Sequence, residues 1–373
     1  MDLDGDVLLR SLAALDVSGL AEYQSRLIAS ARKGAASGQS LVDRLGTELL
    51  AASFSPLETA LRPEIAKRLA AVPMIAVNVE VCNASTVFSK PEPHILIYRG
   101  LIRATIFYLE LDELADVLLA LDGEGLAGIG CDERELKALV GDSVQLLGAY
   151  LDGEAALPWL GIHLTPADQS SVFIAFSKAM WFVAMHELGH IEFGHESATG
   201  HAPPLLVPNL PVEEEIDLYK QQEFQADTYV LESLKDEYRW QAGSFALRSL
   251  QLIALQELWL GGSQRHPLAP NRLQWFADTL RNVEGEEAAR ELEPFIASSR
   301  EDFTRGRARR TLGAGKTAPA ALLLSVERLA ALYKLVEPAE TISIDLDLGR
   351  YFSRIVSEWW VEGSQDGELN GAR

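Results

Sequence analysis

The sequence predicts an α+β fold that is mostly helical, with one small β-sheet and additional helical arms at both ends. Three observations carry that expectation. Short β-branched, partly alternating runs cluster between positions 74 and 108, long helical runs dominate after 171, and leucines recur at helical spacing near the amino terminus. At 373 residues the chain has room for two to three domains or one elaborated domain.

Near the amino terminus Leu8, Leu9, Leu12 and Leu15 keep to one helical face, and a Gly/Ala/Ser linker follows at 34–38. Ser55-Pro56 then has the form of a capping residue followed by a first-turn proline. Residues 1–71 are therefore expected to form a helical arm. Strands are expected at Met74 to Val81, His94 to Tyr98 and Ala104 to Tyr108. Between Glu110 and Glu154 twelve acids meet only Arg134 and Lys137. This acidic insertion, 109–165, is expected to present a solvated helical face beside the cleft, where it would gate or select substrate. Helices follow at about 171–195, 213–238 and 242–260. They complete a core spanning 72–281. Residues 282–373 form a C-terminal helical region, in which Arg305, Arg307, Arg309, Arg310 and Lys316 lie among glycines and read as a linker.

Charge narrows the function classes. Lys+Arg 33 against Asp+Glu 54 gives a net charge of −21, which repels phosphate backbones and anionic lipid, so neither nucleic acid nor membrane is an expected partner. The apolar stretches at 172–185 and 244–260 are too short, or carry Lys178, Arg248 and Glu257, to read as membrane spans. Cys82 and Cys131 make no zinc-ribbon or disulfide pattern, and the first residues are acidic where a secretory signal needs positive charge. A cytoplasmic location is expected.

The chemistry concentrates at Met185-His186-Glu187-Leu188-Gly189-His190, an HExxH motif inside a helical run. Positions four apart on a helix differ by roughly 40° around the axis, so His186 and His190 present two imidazoles one turn apart on one face. That is the geometry of two zinc ligands. Glu187 is rotated by roughly 100° from His186, off the ligand face but within reach of a water at an open metal position. Seven histidines in 373 residues would produce such a motif by chance only roughly 0.02 times. A catalytic site needs a third protein ligand. His195, continued along the helix, lies on the wrong side and would need a break at Gly194. Glu223 is the better candidate, with Asp227 one turn on to accept the free N–H of a liganding imidazole, His186 first among them. Ala226 is small enough to let the two helices approach closely.

His186-Glu187-Leu188-Gly189-His190 followed by Glu223-Phe224-Gln225-Ala226-Asp227 resembles the gluzincin zinc metallopeptidases. The likeness is to the HtpX and CAAX-prenyl endopeptidase group, the ImmA/IrrE-type proteases and the Lit-like phage-exclusion peptidases. Asn83-Ala84-Ser85-Thr86-Val87-Phe88, then His94 to Leu101, is similar to the strand pair of the HtpX group, one of whose strands is the edge against which substrate lies. Ser263-Gln264-Arg265-His266-Pro267, then Arg272, is similar to that group's element near the metal. The resemblance implies a soluble zincin core, a Zn2+ cofactor, substrate binding along Asn83 and Ala84, and His266 or Arg272 as donors to the oxyanion. It departs from those families in lacking their membrane helices and the Leu-Leu-Met-Pro tail, and in carrying the long acidic insertion.

The expected function is that of a soluble cytoplasmic zinc metalloendopeptidase acting on a protein or peptide. Glu187 is its general base, an activating protein is a further expected partner, and a triggered defence or regulatory role is compatible with the helical arms. The alternative is a non-catalytic sensing or protein-binding module with structural zinc, against which an intact Glu187 argues.

Overall fold

The computed structural model describes residues 41–54, 59–87, 93–151, 153–158, 160, 166–195, 212–260, 266–290, 292–297, 319–336 and 356. The helical face at Leu8 to Leu15, the Ser55-Pro56 cap, the basic stretch at 305–316 and the end near Trp359-Trp360 lie outside the described residues.

The fold is α+β and mostly helical. Two helices, α1 (Leu41–Phe54) and α2 (Pro63–Ala71), precede three short strands, β1 (Met74–Val77), β2 (Ala84–Val87) and β3 (His94–Tyr98). The order across the sheet is β1-β3-β2, with β1 parallel and β2 antiparallel to the central β3. β2 is thus an edge strand. β3 runs without a loop into α3 (Arg99–Leu119), followed by α4 (Gly123–Gly128), α5 (Glu133–Leu151) and the long α6 (Pro166–Glu192). Then come α7 (Val212–Ser233), a 3-10 turn at Asp236–Gln241, α8 (Ala242–Leu260), α9 (Ala269–Glu284), α10 (Glu286–Arg290) and α11 (Pro319–Tyr333).

α6 is the axis of the core. Phe176, Trp181, Phe182, Met185 and Leu188 are all fully buried, and the helix packs against α1, α3, α7, α8 and β2. Its segment Ser171–Glu192 is long and apolar enough to cross a membrane, and most of it is buried within the fold. A helix apolar on several faces is what a central position requires. α1 joins the same core through Leu45, Leu49, Leu50 and Phe54, packed on α6 and β1. The described part of the expected amino-terminal arm is therefore integral to that core.

Two sequence expectations are corrected here. Ala104 to Tyr108 is helical, within α3, where Ala104, Thr105, Ile106 and Phe107 are buried. A buried apolar run has no exposed face to reveal its period, so strand and helix look alike. The boundary at 109 falls inside that same helix, and Glu110 is fully buried. The acidic helices also do not line the cleft. Among the described residues the cleft takes Leu101 and Thr105 from α3 and nothing from α4 or α5. α5 instead packs against α11, where Ser325 donates to Asp142 at 2.7 Å and Arg328 pairs with Glu135 at 3.4 Å.

The end of α7 is clamped to the chain before α2. Leu61 bridges Leu234, Arg62 N donates to Ser233 O at 3.0 Å, and Lys235 N donates to Ala60 O at 2.9 Å. Where α7 crosses α6 both helices offer small residues: Ala226 is fully buried, and a Cβ added at Gly189 would lie 3.1 Å from Ala226 Cα and Tyr229 Cβ. The carboxylates of α7 reach the imidazoles of α6 because of this close approach. Ala226→Leu should wedge the crossing and cost about 1–3 kcal/mol, the usual penalty of overpacking, read as a lower urea midpoint at unchanged slope.

Candidate metal centre

Three ligand atoms converge. His186 Nε2 is 3.1 Å from His190 Nε2 and 3.4 Å from Glu223 Oε2, and His190 Nε2 is 3.6 Å from Glu223 Oε1. Ligands about 2.0–2.1 Å from a tetrahedral ion lie roughly 3.3 Å apart, so these atoms match one face of such a tetrahedron. All three residues are buried. Two ring nitrogens and a carboxylate aimed at one point repel one another unless a proton or a cation stands between them. By the side chains alone, burial pushes His186 down, but the carboxylates of Asp227 and Glu223 outweigh it and raise the group to about 9. Burial, joined by the His186 charge, pushes His190 down to about 3. The set can hold one proton, or a divalent ion on three neutral or anionic ligands.

Glu187 stands beside the three ligands. Thr86 on β2 donates its hydroxyl to Glu187 Oε2 at 2.9 Å, with the Glu187 backbone oxygen 3.0 Å away. Burial raises the affinity of this carboxyl for a proton. Thr86 was not singled out from the sequence, although it shares a strand face with Ala84 by period two.

Asp227, fully buried one turn after Glu223, holds the site's outer side. Its Oδ1 accepts from His186 Nδ1 at 2.9 Å and from Arg272 Nη2 at 2.6 Å, while Oδ2 accepts from Arg272 Nε at 2.8 Å. The 3.3 Å separation of Arg272 Nη2 from His186 Nδ1 follows from both donating to that one oxygen. Burial alone would raise the Asp227 pKa, and Arg272 and His186 together carry it below its ordinary value. Arg272 Nη1 also lies 3.4 Å from Glu223 Oε2. The guanidinium is thus buried, pairs with two carboxylates and lies in the lining of the cleft. His266 stays at the rim, its side chain 47% exposed, with Nδ1 3.1 Å from Glu223 Oε1. Burial would raise Glu223, but the His186 and His266 contacts carry it well below the ordinary carboxylate range.

His195 is near the site but outside the three converging atoms. Gly194 adopts φ +66°, ends the helix and returns the chain, so His195 N donates to His190 O at 2.9 Å. The ring then meets Nδ1 of His190, on the far side from the three ligand atoms, at 3.0 Å. Asn83 and Ala84 line the cleft with Thr86 and Glu187. Its inner wall is apolar, from Leu101, Met180, Val183, Leu252 and Ile253. The Thr105 and Ser249 hydroxyls in that wall are turned onto the backbone oxygens of Leu101 and Ala179.

Arg272→Met should leave Asp227 buried without its cation, and removal of one partner of such a pair costs about 3–5 kcal/mol. Denaturant unfolding should show that loss, which an oxyanion donor at the rim would not produce.

No curated protein and no solved structure matches the chain. Residues 161–292, which carry His186, Glu187, His190, Glu223, Asp227, His266 and Arg272, match the family model described as Peptidase U49, and this similarity supports a peptidase acting on protein.

Proposed function

We propose that the chain is a zinc-dependent metalloendopeptidase of the HExxH and ExxAD type, cleaving a protein or peptide substrate. The observation that carries the reading is the convergence of His186 Nε2, His190 Nε2 and Glu223 within 3.1–3.6 Å, with Glu187 beside them in an open cleft. Two imidazoles and one carboxylate are the donor set of catalytic zinc sites, which keep a fourth position for water. When bound there, zinc would lower the pKa of that water towards about 7 and polarise the scissile carbonyl.

The chain's own residues supply the rest. Glu187 takes the proton of the attacking water on its carboxylate and passes it to the leaving amine. Its burial, by raising proton affinity, suits it to hold the proton between those two events. Thr86 fixes Oε2 of that carboxylate, tying the base to β2. The β2 edge, with Asn83 and Ala84 at its start, receives an extended substrate by backbone pairing. His266, with Arg272 spent on carboxylates, is the side chain left to donate to the oxyanion. The free thiols Cys82 and Cys131 suit a reducing cytoplasm. A defence or regulatory role with an activating protein partner draws its support from the resemblance to Lit-like peptidases and from the additional helical segments.

Glu187→Gln should retain one zinc per chain and the wild-type melting profile while hydrolysis falls about 10²–10⁴-fold, the usual worth of a general base. Normal cleavage by that variant would refute the mechanism. Glu223→Ala should lower zinc stoichiometry after dialysis, measured by elemental analysis; full retention would remove Glu223 from the ligand set.

A further inference from the structure

His190 offers Nε2 towards the metal position and turns its Nδ1 to His195 Nδ1, 3.0 Å away. In a hydrogen bond between two ring nitrogens one donates and the other accepts. The partner of His195 decides which. His195 Nε2 lies 3.1 Å from Gln225 Oε1, and an amide oxygen only accepts. His195 Nε2 therefore carries the proton. A neutral imidazole has one N–H, so His195 Nδ1 is a lone pair, and the proton between the two Nδ1 atoms belongs to His190. His190 Nε2 is left as a lone pair pointing at His186 and Glu223. Asp227 imposes the same order on His186 by accepting from its Nδ1.

We propose that His195 and Gln225 are positioning residues, a hydrogen-bond chain that locks His190 in the tautomer whose Nε2 can bind the metal. The inference rests on the zinc reading above and names residues which that reading does not use. Local structure supports it. The left-handed turn at Gly194 delivers His195 to His190, and His195 is 5% exposed. Phe193 stacks on the His195 ring at 5.6 Å and 26°, and is itself set edge-on to Tyr229 at 5.9 Å. The chain has a direction. Were the Gln225 amide reversed, its NH2 would donate to His195, His195 would donate to His190, and His190 Nε2 would carry a hydrogen and be unable to ligate. Carboxylates and carbonyls commonly orient liganding histidines in this way; here a second histidine relays the order from an amide.

The test uses the full chain loaded with zinc alone. Long-range proton–nitrogen correlation on histidine-labelled protein should show His195 protonated at Nε2 and bare at Nδ1, and His190 protonated at Nδ1. By chelator competition, Gln225→Leu should weaken zinc binding about 10–100-fold. Gln225→Glu, which still only accepts, should restore the wild-type affinity. Gln225 is exposed, so both variants should melt as wild type does. A His195 protonated at Nδ1, or wild-type affinity in Gln225→Leu, overturns the inference and leaves the zinc reading standing. Affinity lost together with folding and not restored by Gln225→Glu also overturns it. A wild-type chain that binds no zinc overturns the zinc reading, and this inference with it.

Discussion

The paired hydrogen bonds between Arg272 and Asp227 permit everything else at this site to be buried. α6 is enclosed on nearly every side, and the two carboxylates of α7 meet it in the interior. Charge taken so far from water is tolerated only when its lone pairs are met with good geometry. One guanidinium from the first turn of α9 does this for both acids, and Asp227 passes the constraint on to His186. Three helices distant in sequence are thereby held in one register. The site's precision comes from the interior of the protein, and only its cleft side is left to solvent and substrate.

How much of this was legible depends on range. Helical period alone put His186 and His190 on one face, and spacing on a second helix brought out Glu223 with Asp227, both of which the structure gathers at one point. Ala226 was legible as a small residue because a close crossing needs one. His195 was judged from an unbroken helix and set aside as a ligand. Gly194 breaks that helix, yet brings the ring to the outer nitrogen of His190 and not to the ligand atoms. Thr86 and Gln225 are ordinary polar residues whose roles exist only through partners 101 and 30 positions away. Arg272 was found, but its pairing with Asp227 was not, since nothing local in the sequence tells a buried cation from one at a rim.

The acidic segment went astray for a related reason. Its charge count is correct, but charge says which residues avoid the core and not which neighbour covers the remaining face. α11, some 180 positions further on, provides that cover, and Ser325 and Arg328 draw on the acids of α5. The edge strand fared better. β3 occupies the β-branched run expected of it, and β2 falls in the segment that the resemblance to the HtpX strand pair picked out.

The clamp between residues 59–62 and the end of α7 sets an order in time. Arg62 reaches Leu234 across 172 positions, so the contact cannot form until that stretch has been translated. At about 5–20 residues per second that interval is roughly 10–35 s. The sheet and α3, ending at Leu119, are made in its first part, and the glutamate-bearing helix, Val212–Ser233, only at its end. The convergence of His186, His190 and Glu223 is therefore completed only by late-emerging chain.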